Sequence, residues 1–102
     1  MMRMEFTFDE AAVLARGYTM ERVYNAIKRQ SDKFELKCVE DGEVLAFTGI
    51  GSKHDYSGML GMMIAFSKSE WFMETASSWI FYRAGRVEDV LTQALEARRW
   101  EE

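Results

Sequence analysis

The sequence predicts a single α+β domain, with a four-stranded, mainly antiparallel sheet and helices packed on one of its faces. Three observations carry this reading. Apolar residues alternate with polar ones near the start and on both sides of an Asp-Gly dipeptide, the period of half-buried strands. Between these runs they recur at helical spacing. The chain has 102 residues, 48% of them hydrophobic, which bounds it to one domain able to bury a core without a disulfide or a metal.

Met2, Met4, Phe6 and Phe8 alternate with Arg3, Glu5 and Thr7, so a strand is expected from Arg3 to Phe8. Asp9 can accept free backbone N–H groups at the start of a short helix over Glu10 to Arg16. Gly17 ends that helix in a left-handed conformation. Thr19 is a second N-cap, and Met20, Val23, Tyr24 and Ile27 form one face of a helix running to Ser31 or Lys33. Phe34, Leu36 and Cys38 then resume period two. Asp41-Gly42 separates Phe34–Glu40 from Glu43–Thr48 and predicts a tight two-residue hairpin.

Gly49 to Gly58 contains three glycines among polar residues and reads as an exposed loop. Met59 to Phe66 suits a buried helix. Ser67 and Glu70 have capping-box spacing, so a break near Ser67 and a second helical segment carrying Trp71 and Phe72 are expected. Ser77 to Arg83 is rich in strand formers and stops at a turn, Ala84-Gly85. Val87, Val90, Leu91, Ala94 and Leu95 form the stripe of a last helix, with Glu88 and Asp89 at its start and Arg98 and Arg99 at its end. With the short first helix set aside, this order matches the ferredoxin-like β-α-β-β-α-β plan with an added C-terminal helix. No repeat, low-complexity tract or linker divides residues 1–102.

Cys38 is the one cysteine and has no internal disulfide partner. The chain opens with no basic stretch followed by an apolar run, so a cytoplasmic setting is expected. Lys68, Glu70 and Glu74 interrupt the most apolar region well short of the roughly 20 residues a membrane helix needs. A net charge of −4 disfavours a dedicated binder of phosphate backbones, although Arg83, Arg86, Arg98 and Arg99 gather some positive charge.

Candidate chemistry is sparse. Gly49-Ile50-Gly51-Ser52-Lys53 lacks the four-residue spacing and Gly-Lys-Ser/Thr element of a phosphate loop. His54, Asp55, Tyr56 and Ser57 hold groups for acid-base work, but adjacent residues seldom converge on one centre. The structural reading of a surface loop is preferred, with Lys53, His54 and Tyr56 kept as candidate ligand contacts. One His and one Cys give no paired metal-ligand spacing, and no metal or cofactor is expected. Cys38 lies in an apolar strand phase, which favours a buried, unreactive thiol.

The densest feature is the run Met59 to Tyr82. Met59, Met62, Met63, Trp71 and Phe72, with Trp100, exceed what a thin domain easily hides, so some of them are expected at a partner-binding surface. Core packing is the preferred reading for most of them.

Phe6-Thr7-Phe8-Asp9-Glu10, Gly17-Tyr18-Thr19, Trp71-Phe72 and Ser77-Ser78-Trp79 together resemble small accessory proteins of bacterial conjugative transposons. The resemblance implies a bacterial, cytoplasmic setting and an auxiliary role in element maintenance or transfer. It transfers no site residues. The expected function is therefore a non-enzymatic module that binds a protein partner or itself, through this apolar surface or an uncovered sheet face. The alternatives are a ligand or enzyme site in loop 49–57 and nucleic-acid binding through the four arginines.

Overall fold

The computed structural model describes residues 2–101. Ten elements follow one another: β1 (Arg3–Phe8), α1 (Glu10–Ala15), α2 (Met20–Lys33), β2 (Lys37–Asp41), β3 (Leu45–Thr48), α3 (Asp55–Ser67), α4 (Glu70–Thr75), β4 (Ala76–Arg83), β5 (Arg86–Asp89) and α5 (Val90–Glu101). The chain is α+β, and its sheet has five antiparallel strands in the order β2-β3-β1-β4-β5.

Period two in β1 dictates the two sheet faces. Met4 stands between Phe47 and Phe81 and Phe6 between Leu45 and Trp79, and all six side chains are buried. Ile27 of α2, Met59, Met62 and Phe66 of α3, Phe72 of α4 and Val90 and Ala94 of α5 close over that face as one core. Phe6 is its hub, with the Phe47, Phe66, Phe72 and Trp79 rings 5.9 to 6.1 Å from its own. The opposite face carries Arg3, Glu5 and Thr7, with Ile80 and Tyr82 of β4 in register beside them. Arg3 reaches across β3 to Glu40 at 2.8 Å while also holding Glu5 at 2.8 Å, and Tyr82 donates to Glu5 at 2.9 Å. Ala46 lies in register between Glu5 and Glu40 and is fully buried beneath this bridge.

Both expected helix caps form: Asp9 accepts from the Ala12 N–H and Thr19 from the Arg22 N–H. Gly17 is left-handed, as the end of α1 requires. Elsewhere the boundaries move. The strand expected from Phe34 begins at Lys37, because Phe34 caps α2 and Glu35 adopts a left-handed turn. Asp41 pairs with Leu45, so Gly42, Glu43 and Val44 make a three-residue loop instead of the tight hairpin. The tight hairpin is at Ala84-Gly85, both left-handed, with Arg83 opposite Arg86. That backbone is the two-residue turn whose twist matches paired strands.

The expected four-stranded sheet is thereby corrected to five. Arg86–Asp89 is a wholly exposed edge strand with little apolar pattern to announce it, and Val87 belongs to it instead of the last helix. The third helix starts at Asp55, inside the expected loop 49–58, and Ser67 closes it by donating to the Ile64 carbonyl. Ser69, not Ser67, precedes α4 as its cap residue.

Candidate functional site

α3 runs through the densest apolar part of the sequence and is apolar on nearly every side, whereas a helix lying on a sheet needs one buried stripe. Its helical phase sorts the residues. Met59, Met62 and Phe66 turn to the sheet. Gly58 and Gly61 turn to Phe34, where a Cβ on Gly58 would lie 2.8 Å from the Phe34 carbonyl oxygen and one on Gly61 would overlap the Phe34 ring. Tyr56, Leu60 and Ile64, at i, i+4 and i+8, are left facing outward, 39%, 37% and 57% exposed.

Expectation and structure therefore part within one helix. Met59, Met62 and Phe72 are fully buried and have no surface to offer a partner. Met63 and Trp71 are half-buried against the core, and Trp100 is 88% exposed near the end of α5. Within α3 the exposed aliphatic side chains are Leu60 and Ile64, which composition did not separate from their neighbours. Helical spacing from a correctly placed α3 start would have found them.

The loop ahead of α3 is organised around its own carboxylate. Asp55 is buried, accepts the Ile50 N–H at 3.1 Å and the Gly51 N–H at 2.8 Å, and packs where a side chain on Gly49 would stand. Lys53 and His54 point to solvent, and Tyr56 is covered by the Arg83 guanidinium, 3.9 Å from its ring centre. These three candidate ligand contacts do not converge on a hollow. Arg86 lies opposite Arg83 in the β4–β5 hairpin, while Arg98 and Arg99 sit in the last turn of α5, so the four arginines are divided among three elements. Among the described residues, no group of three or more His, Cys, Asp or Glu side chains is placed to hold a metal ion. None of the described helices is long and apolar enough to cross a membrane.

Cys38 is half-buried and its thiol faces the Glu40 carbonyl oxygen at 3.5 Å. Burial, then the negative charge of Asp41, pushes that thiol above its ordinary range, which keeps it protonated and a poor nucleophile.

One hollow was not foreseen. Tyr18, Arg22, Val23, Ala26, Arg29 and Trp71 line an open hollow of about 180 Å³ between α2, α4 and the turn before α2. Tyr18 and Trp71 meet edge to face at 6.5 Å, and the Arg22 guanidinium lies 5.0 Å from the Tyr18 ring centre.

No protein-family model matches the chain, and no curated protein is similar to it.

Proposed function

We propose that this chain is a non-enzymatic protein-interaction module that receives an amphipathic partner helix on the outward face of α3. The observation that carries this reading is the exposed pair Leu60 and Ile64, with Tyr56 under the Arg83 guanidinium at the start of their row, on a helix whose inward side already fills the core. Such a row offers an apolar seam to a helix-in-groove contact. Thirteen residues at 1.5 Å each make α3 about 20 Å long, a length matched by three to four turns of a partner.

Charge selects the partner. Lys53 stands before α3 and Lys68 after it, both exposed, and the helix's own carboxylate, Asp55, is buried on the Ile50 and Gly51 amides. Two copies meeting through α3 would set lysine against lysine, whether the helices ran parallel or antiparallel. A helix with apolar residues along its middle and carboxylates at both ends suits the seam better.

The sheet fits the same role as a scaffold. The finer reading is a ferredoxin-like split β-α-β-β-α-β arrangement with β5 and α5 appended, supported by β1 lying between β3 and β4 with β2 outside β3. Such sheets serve many functions, so the arrangement itself selects none. A bacterial cytoplasm and an auxiliary part in the maintenance or transfer of a conjugative transposon, the setting implied by the resemblance, belong to this proposal as the context for an adaptor.

The test is a titration followed by amide NMR. A designed helical peptide with leucines at i, i+3, i+4 and i+7 and glutamates at both ends is expected to shift α3 signals, and its lysine-ended counterpart to leave them in place. Ile64→Asp should abolish the shifts with the far-ultraviolet circular dichroism unchanged. Equal shifts from both peptides, or none from either, would overturn the proposal. So would light scattering that shows a dimer dispersed by Ile64→Asp, since the seam would then belong to a second copy.

A further inference from the structure

The hollow between α2 and α4 is built of different chemistry from the α3 seam. Arg22, Ala26 and Arg29 are spaced i, i+4, i+7 and share one stripe of α2. Ala26 ends at its Cβ, so a notch opens between two long cationic side chains. Val23, buried on the adjoining stripe, forms the floor. Trp71, half-buried through its contact with Phe66 at 6.3 Å, and Tyr18 supply an aromatic wall. Among the described residues neither Arg22 nor Arg29 forms an ion pair, whereas Arg3, Arg16 and Lys28 each hold a carboxylate.

A polar hollow adjoins the notch and shares both arginines. Thr19, Asn25 and Glu21 line it, supplying hydroxyl and amide groups beside one carboxylate. Aromatic wall, two guanidinium groups and polar annex thus lie side by side along α2, from Tyr18 before it to Arg29, with Trp71 supplied by α4.

The geometry points to a binding site for a nucleoside monophosphate. Its base would lie against Trp71, its phosphate between Arg29 and the Arg22 guanidinium that rests over the Tyr18 ring, and its ribose toward Thr19 and Asn25. Each contact has a physical ground. An indole ring offers a stacking face to any base. Guanidinium groups form forked, charge-assisted hydrogen bonds to phosphate oxygens. Glu21 limits how much negative charge the site tolerates, and the net charge of −4 repels a long polyanion, so a free mononucleotide is favoured over the terminal residue of a single strand.

Adenosine 5′-monophosphate is the probe, with adenosine, inorganic phosphate and a short oligodeoxyadenylate as comparisons, read by calorimetry and by the indole N–H signal of Trp71. Saturable binding of the monophosphate is expected, at least tenfold tighter than either adenosine or phosphate. Ala26→Leu, which fills the notch with a good helix former, and Arg29→Gln, at an exposed position, should each weaken it tenfold or more with unchanged circular dichroism. An unmoved Trp71 signal at millimolar monophosphate would overturn the inference. Binding that survives both variants, or phosphate binding as tightly as the nucleotide, would do the same. Tighter binding of the oligonucleotide would replace the free nucleotide with a strand end as the ligand.

Discussion

Asp55 shows how one side chain can set the start of a helix and the course of the loop before it. Its two acceptor bonds hold the Ile50 and Gly51 amides in the turn between β3 and α3, where the Ser52 hydroxyl also accepts the His54 N–H. Asp55→Ala should leave those two N–H groups without that partner and cost about 1–3 kcal/mol, measured by urea denaturation. Asp55→Asn, which keeps one carbonyl acceptor, should fall between the variant and the parent. A second residue-scale expectation concerns alkali. Cys38 is raised by burial first and by Asp41 second, and Tyr24, whose hydroxyl donates to the Gly42 carbonyl at 2.7 Å, is raised by burial and then by Asp41. In each the fold prefers the neutral, protonated form. The stability this contributes is fully present below the ordinary cysteine and tyrosine values and is lost as pH climbs through the raised ones. Urea midpoints should therefore decline in the alkaline range, less steeply for Cys38→Ala. Iodoacetamide should alkylate the native thiol more slowly than the unfolded one at about pH 8. The strand phase anticipated that Cys38 packs toward the core, but it is half-buried and not buried, and Phe34 and Leu36 lie outside the strand. The Asp41 charge beside it was not legible, since that contact depends on where the β2–β3 loop closes.

At the scale of elements, α3 approaches the end of α2 closely through two glycines. Gly58 faces the Phe34 backbone carbonyl and Gly61 faces the Phe34 ring. Replacing a helical glycine with alanine ordinarily gains about 1 kcal/mol, whereas forcing a methyl group into filled space costs about 1–3 kcal/mol. A backbone oxygen cannot rotate aside, so the cost wins at Gly58, and Gly58→Ala should lower the thermal midpoint by several degrees. The Phe34 ring can turn. Gly61→Ala should do less harm and be rescued by Phe34→Leu, which would not rescue Gly58→Ala. Gly58 also explains why α3 starts four residues before the expected Met59: a glycine at a helix start looks like a loop until the neighbour that needs the space is known. Caps written in the local sequence, Asp9 and Thr19, were legible because the donor and acceptor lie three residues apart. β5 was not. Arg86, Glu88 and Asp89 are polar, Val87 points to solvent, and the strand is held by its pairing with β4 and not by burial.

For the molecule as a whole, the count of apolar residues correctly implied that a sheet with one helical layer leaves some of them outside, but counting does not say which. That choice is made by phase: two residues along α3 separate Met62, fully buried beneath the layer, from Ile64, 57% exposed above it. The same substitution at the two positions should therefore have opposite consequences. At position 62 an aspartate would place an unpaired carboxylate in the core, a loss of more than about 4 kcal/mol set against a typical total of about 5–15 kcal/mol for a domain. At position 64 it meets water, and the change should stay within about 1 kcal/mol, the helix propensity of aspartate included. Circular dichroism through a urea titration gives the answer: Met62→Asp unfolded or nearly so in buffer, Ile64→Asp melting with its parent's midpoint and slope. If Ile64→Asp collapses as Met62→Asp does, the outer side of α3 is covered within the protein's own folded state, and the seam is part of its stability and not a surface kept for another chain.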